Sequence, residues 1–271
     1  QFKYGIVQTP RLFLVGPDGI IKGRGLNASA LSFMLKEVFS SPDLEYGRPE
    51  SEKYFDRLLT LYQPSEGEMP AAAIQKAADH MAVSSLQAGD TTMFRQFLGD
   101  FLYYLAPKSG EESKEGLKYL IDNYIEGRDD IWKSKDDSLK IVGFAEIMDD
   151  LLSKAVSGTR IADIKVTGDL LRHDKKIKTG RFNLSKIGGR INVIIFYTEG
   201  CHICDAEKAA AHKLVAENSC YRVLMVNIDR ILASDPSLAN RLFDRFDLSA
   251  LPFIIETDRK GVILRRYITL Q

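Results

Sequence analysis

The residues able to do chemistry are concentrated in one short stretch, Thr198-Glu199-Gly200-Cys201-His202-Ile203-Cys204. It follows a near-continuous apolar run, Ile191 to Tyr197, of the kind shown by a strand buried on both faces. It precedes an alanine-rich segment, Asp205 to Glu217, that reads as a helix. A cysteine at the first turn of a helix sits at the positive end of the macrodipole, where backbone N–H groups stabilise a thiolate. Thiols in C-x-x-C motifs accordingly titrate between roughly 3.5 and 7.5, below the free value of about 8.5. Cys201 is then the exposed nucleophile and Cys204 the more buried resolving thiol. Three-residue helical spacing puts both sulfurs on one face, within bonding reach. His202 has two readings: a protonated imidazole favouring the Cys201 thiolate, or a side chain directed into solvent.

Cys201, His202, Cys204 and His212 are also metal-ligand types. Structural zinc takes a second ligand pair at regular spacing, but there is no second C-x-x-C and His212 lies on a different helical turn. The reading therefore expects no metal and no cofactor. Cys220, just before a second apolar run at Tyr221 to Ile228, reads as a small half-buried residue.

The elements that must position the motif follow a β–α–β order. Strand-like alternation over Ile161 to Val166 leads to a loop at Asn183 to Gly189. The Ile191 strand, the cysteine helix and the Tyr221 strand come next, then a short helix over Pro236 to Phe246. A hairpin with Pro252 and Gly261 closes the sequence. Upstream, from about Ser41 to Ser157, the periodicity is helical. Phe55, Leu58, Leu59 and Tyr62 share one face, as do Phe94, Phe97, Leu98, Phe101 and Leu105, and Leu117, Leu120, Ile121 and Tyr124. Four to six antiparallel helices are expected there, with the aromatic stripe as core and Trp132 at a domain edge. Near the start, Leu12 to Val15, a Gly-Pro-Asp-Gly turn and Ile20-Ile21 read as a hairpin, followed by a helix from Asn27 to Phe39.

That first hairpin can be laid on the last one. Pro10 and Gly19 are nine apart, as are Pro252 and Gly261. Each proline has an aromatic residue six before it, Tyr4 or Phe246, and an aliphatic one four before it, Ile6 or Leu248. Two strands and a helix cannot bury a core alone. The opening residues also lack a basic segment leading into an apolar run. The chain is therefore expected to be part of a longer precursor.

Composition excludes several classes. Lysine plus arginine and aspartate plus glutamate both number 37 in 271 residues, so no net field steers the chain to nucleic acid or to an anionic bilayer. No apolar run is long enough to span a membrane. Three cysteines are too few for a disulfide framework.

The order strand, C-x-x-C at a helix start, helix, strand, helix, proline and hairpin resembles thioredoxin. It is similar in particular to the TlpA/ResA-like thiol–disulfide oxidoreductases of the bacterial envelope. The resemblance covers Gly158 to Leu270 and is carried by Gly158-Thr-Arg-Ile-Ala-Asp163, Phe182-Asn-Leu-Ser185, the Ile191–Tyr197 strand, Cys201 and Cys204, Val226-Asn-Ile-Asp229, and Leu251-Pro252. It implies an α/β, thioredoxin-like fold at residues 158–271, after a helical domain at 41–157 and the closing portion of a first such domain at 1–40, with Pro10 at its cis-proline position.

The resemblance further implies dithiol/disulfide exchange on protein disulfides through Cys201 and Cys204. Leu251 and the cis-proline Pro252 shape the substrate groove, and a redox partner protein works in the periplasm or envelope. The motif departs from the family's Trp-Cys-x-Pro-Cys, with Gly200 before Cys201 and Ile203 in place of proline. Where thioredoxin has a buried acid, six residues before the first cysteine, this chain has Ile195. Glu199 and His202 are the groups left to modulate the thiol pKa values. The alternative is a catalytically weak binding or scaffolding module of the envelope.

Overall fold

The structure, a computed structural model, describes residues 12–15, 21–26, 49–62, 71–87, 91–108, 110–132, 135–173 and 177–270. The chain divides into two compact units, Gln1–Asn27 with Ser153–Gln271, and Ala28–Leu152.

The expected first hairpin is present: β1 (Leu12–Val15) pairs antiparallel with β2 (Ile21–Leu26). The helix expected over Asn27 to Phe39 lies outside the described residues, as do Tyr4 and Pro10 of the repeat.

The helical unit contains α1 (Pro49–Leu61), α2 (Ala72–Gln87), α3 (Thr91–Leu105), α4 (Glu111–Tyr124) and α5 (Lys135–Leu152). The aromatic stripe on α3 is core. Phe94 and Phe101 are fully buried and Phe97 nearly so, and Phe55 from α1 stacks on Phe101 with ring centroids 4.6 Å apart. Gly116 on α4 lets α2 approach closely, because a Cβ there would lie 2.4 Å from Ile74 Cδ1. Trp132 does not mark an edge as expected. It is buried in this core, and its indole N–H donates to the Tyr124 carbonyl at 2.9 Å, which satisfies the one polar atom that burial would strand. His80 is exposed and meets the Tyr62 hydroxyl.

The second unit is built on a six-stranded sheet of order β4-β3-β6-β5-β7-β8. In chain order these are β3 (Lys165–Leu171), β4 (Ile177–Asn183), β5 (Ile191–Tyr197), β6 (Tyr221–Asn227), β7 (Phe253–Asp258) and β8 (Ile263–Arg266). Strand β5 runs parallel to β6 and antiparallel to β7, while β3 is antiparallel to both β4 and β6. The parallel pair needs a crossover, supplied by α6 (His202–Glu217). Two short helices follow β6: α7 (Ile228–Ser234) and α8 (Pro236–Phe243).

The apolar run of β5 divides between two cores by the period-two alternation of a strand. Val193, Ile195 and Tyr197 join Cys204, Ala211 and Val215 of α6 on one face. Ile194 and Phe196 join Ile228, Ile231, Leu232, Ala239 and Leu242 on the other. A central β–α–β with the C-x-x-C at the crossover helix, helices on both faces and a closing hairpin make this a thioredoxin-like fold, as the motif order implies.

Two elements differ from expectation. Strand β3 starts at Lys165 rather than Ile161, and it pairs along its whole length with β4, which the apolar pattern does not reveal. As an edge strand β4 is half-exposed or exposed throughout, so it carries no buried alternation to read. The single helix expected after β6 is two, separated at Asp235, whose side chain caps α8 by accepting from the Leu238 N–H at 3.0 Å, with Pro236 at the helix start.

Candidate active site

The site is built where β5 hands over to α6. Asp229, at the start of α7, holds the connecting loop. One of its carboxylate oxygens accepts from the Thr198 hydroxyl and from the Glu199 N–H at 2.9 Å. Gly200 then turns the chain at φ +68°, a left-handed conformation that costs an L-residue about 1–2 kcal/mol. Nothing lies within 4 Å of a Cβ placed there. Backbone conformation rather than space explains why glycine stands before the first cysteine.

Cys201 is the N-cap of α6. Its Sγ accepts from the Cys204 N–H at 3.1 Å, so the sulfur is aimed into the donors at the positive end of a 16-residue helix. Cys201 is half-buried and Cys204 fully buried. The two are joined as a disulfide with Cα atoms 5.2 Å apart. Cys201 is therefore the more accessible residue of the two.

The Leu251–Pro252 peptide is cis and opens β7, which pairs with β5. The Leu251 carbonyl lies 3.9 Å from Cys201 Sγ, and the Leu251 side chain packs against the cluster containing Cys204. Four of the six residues singled out in the sequence, Cys201, Cys204, Leu251 and Pro252, are thus gathered at one point from elements fifty residues apart.

The other two sit at its margin. His202 is exposed on the first turn of α6. Glu199 is exposed as well, and its Oε1 accepts from Asn227 Nδ2 at 2.6 Å and from Arg230 at 3.5 Å. Those partners lie at the β6–α7 junction rather than at the thiols. Ile203, between the two cysteines, is 62% exposed, which leaves an apolar side chain on the rim. Lys208 reaches back over the Tyr197 ring at 4.6 Å and bonds Asp205 at 2.7 Å. That bond, against partial burial, raises its pKa and keeps it charged.

Sequence reasoning missed Glu207. It is 1% exposed, one turn beyond Cys204 on the same face of α6. Its Oε2 accepts from the Leu270 N–H at 2.8 Å, and Leu270 and Ile268 pack on the cysteine cluster. The signal was available as an acid three residues after the buried cysteine, on the helix's apolar side. Cys220, expected half-buried, is exposed in the turn before β6, because its carbonyl rather than its side chain is what the fold uses, accepting from Ile191. His212 is exposed, and among the described residues no three His, Cys, Asp or Glu side chains converge as a metal site would require. No helix among them is long and apolar enough to cross a membrane.

No family model and no curated relative matches the chain. Solved structures similar to it include a thioredoxin-like protein from Bacteroides caccae, at 12% identity over 88% of this chain and 84% of that one, with a TM-score of 0.42. The C-terminal domain of an uncharacterized Bacteroides fragilis protein is similar at 17% identity over 44% and 94%, TM-score 0.34. The thioredoxin domain of a thiol-disulfide oxidoreductase from Bacteroides vulgatus is similar at 14% over 42% and 89%, TM-score 0.31.

Proposed function

We propose that the chain is a thiol–disulfide oxidoreductase of TlpA/ResA-like type acting on protein disulfides. The observation that carries this reading is the Cys201–Cys204 pair itself. A half-buried sulfur caps a helix above a fully buried partner and faces a cis-proline loop. In the reduced protein the Cys201 thiolate attacks one sulfur of a substrate disulfide. A Cys201–substrate disulfide forms, and the other substrate sulfur leaves as a thiolate that takes a proton. Cys204 loses its proton and attacks Cys201 Sγ, releasing the second substrate thiol and leaving the intramolecular disulfide seen in the structure. Two electrons pass from protein to substrate, and a dithiol partner protein returns them.

To Glu207, buried one turn beyond Cys204 on the same helix, the reading assigns receipt of the Cys204 proton. Leu251 and Pro252 present the carbonyl edge along which the substrate chain lies. The reading places the protein in the periplasm or cell envelope, where protein disulfides persist. It assigns residues 1–40 to the end of another such domain, 41–157 to a helical domain and 158–271 to the catalytic one.

The test is insulin-disulfide reduction by the wild type and by Cys201→Ser, with the reduction potential of the pair. Turnover that vanishes in the variant supports the reading. Equal, background rates in both would identify a binding module with a structural disulfide.

A further inference from the structure

Three surface concavities in the sheet-bearing unit join into one trough that the redox chemistry does not use. The first, about 310 Å³, has the buried side chains of Tyr197, Met225 and Ile231 in its lining. It is also lined by Asn227 and Arg230, the two residues that hold Glu199, two positions ahead of Cys201. The second, about 270 Å³, shares Arg181, Asp235 and Leu238 with the first. The third, about 380 Å³, shares Asp163 and Arg241 with the second. The trough therefore leads away from the cysteine loop, past β3 and β4, and along α8.

Its charged groups differ in what they already hold. Asp163 accepts from Asn183, Asp169 from the Thr179 hydroxyl at 2.5 Å, and Asp235 from the Leu238 N–H at 3.0 Å. Arg181 and Arg241 are exposed and have no hydrogen-bond or ion-pair partner among the described residues. Asp244 is a fourth lining acid, and Lys165, Arg230 and Arg245 are further lining cations, so basic groups outnumber acidic ones five to four. Each guanidinium offers five donors and a forked geometry that matches a carboxylate. An open trough over two strands and a helix suits an extended chain, whereas small ligands take enclosed pockets.

We infer that this trough binds the polypeptide flanking a substrate's disulfide and selects acidic residues there, with Arg181 and Arg241 as the specificity-determining side chains. The inference rests on the oxidoreductase reading and adds a substrate class to it.

The test uses the full chain, reduced, and three synthetic peptides, each closed by one disulfide and differing only in the flanking segment. That segment carries Glu and Asp, the corresponding amides, or Lys. At low salt the acidic peptide reacts about tenfold faster than the amide peptide and the lysine peptide slower than both, with the differences shrinking as ionic strength rises. In the double variant Arg181→Ser, Arg241→Ser the acidic-to-amide rate ratio falls to near one. Equal rates for the three peptides in the wild type overturn the specificity and leave the oxidoreductase reading standing. A preference that survives in the double variant overturns the assignment to this trough. No reaction with any peptide overturns both.

Discussion

Removal of the Asp229 carboxylate should loosen the active-site loop before it affects anything else. In Asp229→Ala, the Thr198 hydroxyl and the Glu199 N–H lose the acceptor they share. Thr198 is 8% exposed, so its hydroxyl has little access to replacement water, whereas the Glu199 bond is exposed and is recovered from solvent. Hydrogen bonds to a charged group contribute about 1.5–3 kcal/mol each, and only the buried one counts nearly in full. Asp229 also lies in the first turn of α7, where loss of a negative charge removes about 0.3–1 kcal/mol more. The local cost is therefore about 2–4 kcal/mol.

Because the chain has two compact units, a single global unfolding free energy is the wrong readout. Hydrogen exchange of the Tyr197–Ile203 segment reads the loop directly. At 1.4 kcal/mol per decade its protection should fall about 30-fold or more. Asp229→Asn, which keeps one acceptor oxygen, should recover part of that protection. If exchange in the loop changes less than twofold while the β6–α7 junction loosens, Asp229 serves only as a helix-start acid and the loop argument is wrong.

In Glu207→Gln the amide oxygen can still accept from the Leu270 N–H, so the fold should be retained while proton removal from Cys204, on the proposed role of Glu207, should be impaired. Mixed disulfide on Cys201 should accumulate, and its resolution, followed by quenched mass spectrometry, should slow by about a hundredfold. Gly200→Ala should destabilise the loop by about 1–2 kcal/mol on backbone grounds alone, since the added methyl has open space; loop exchange reads this without a change in helix content.

In the helical unit, the Tyr119 and Tyr124 hydroxyls both donate to Asp79, at 2.7 and 2.6 Å. Burial first, then the Asp79 bond, pushes the Tyr119 phenol up to about 12 and Tyr124 upward as well. A phenol pKa raised above the unfolded value of about 10 stabilises the fold fully below pH 10, and that contribution is lost as pH rises through 12. Phenolate absorbance should show these two tyrosines ionising late and together with loss of helical signal. Asp79→Ala should lower their titration only in part, since burial, the larger cause, remains.

Much of the site was legible because its chemistry is local in sequence. The spacing of Cys201 and Cys204, the apolar β5 before them and the alanine-rich helix after them fix a helix-capping thiol pair wherever the chain folds. Pro252 was legible through its resemblance to a known motif order, but its meeting with Cys201 is a product of strand pairing between β5 and β7. Glu199 illustrates the limit. Its sequence position beside the cysteines suggested a role at the thiols, yet Asn227 and Arg230, brought near by the parallel β5–β6 pair, hold it.

What the sequence determined alone was the set of periodic elements and the reactive pair, since period and helix-end chemistry depend only on near neighbours. Only the tertiary structure decided the rest. It paired the exposed edge strand β4, which has no hydrophobic pattern to announce it. It buried Trp132 and Glu207, whose environments are set by the elements packed over them. It also joined β3, β4 and α8 into a trough beside the cysteine loop. Burial and long-range pairing are properties of the packed chain, and no local spacing encodes which distant residue will cover a given side chain.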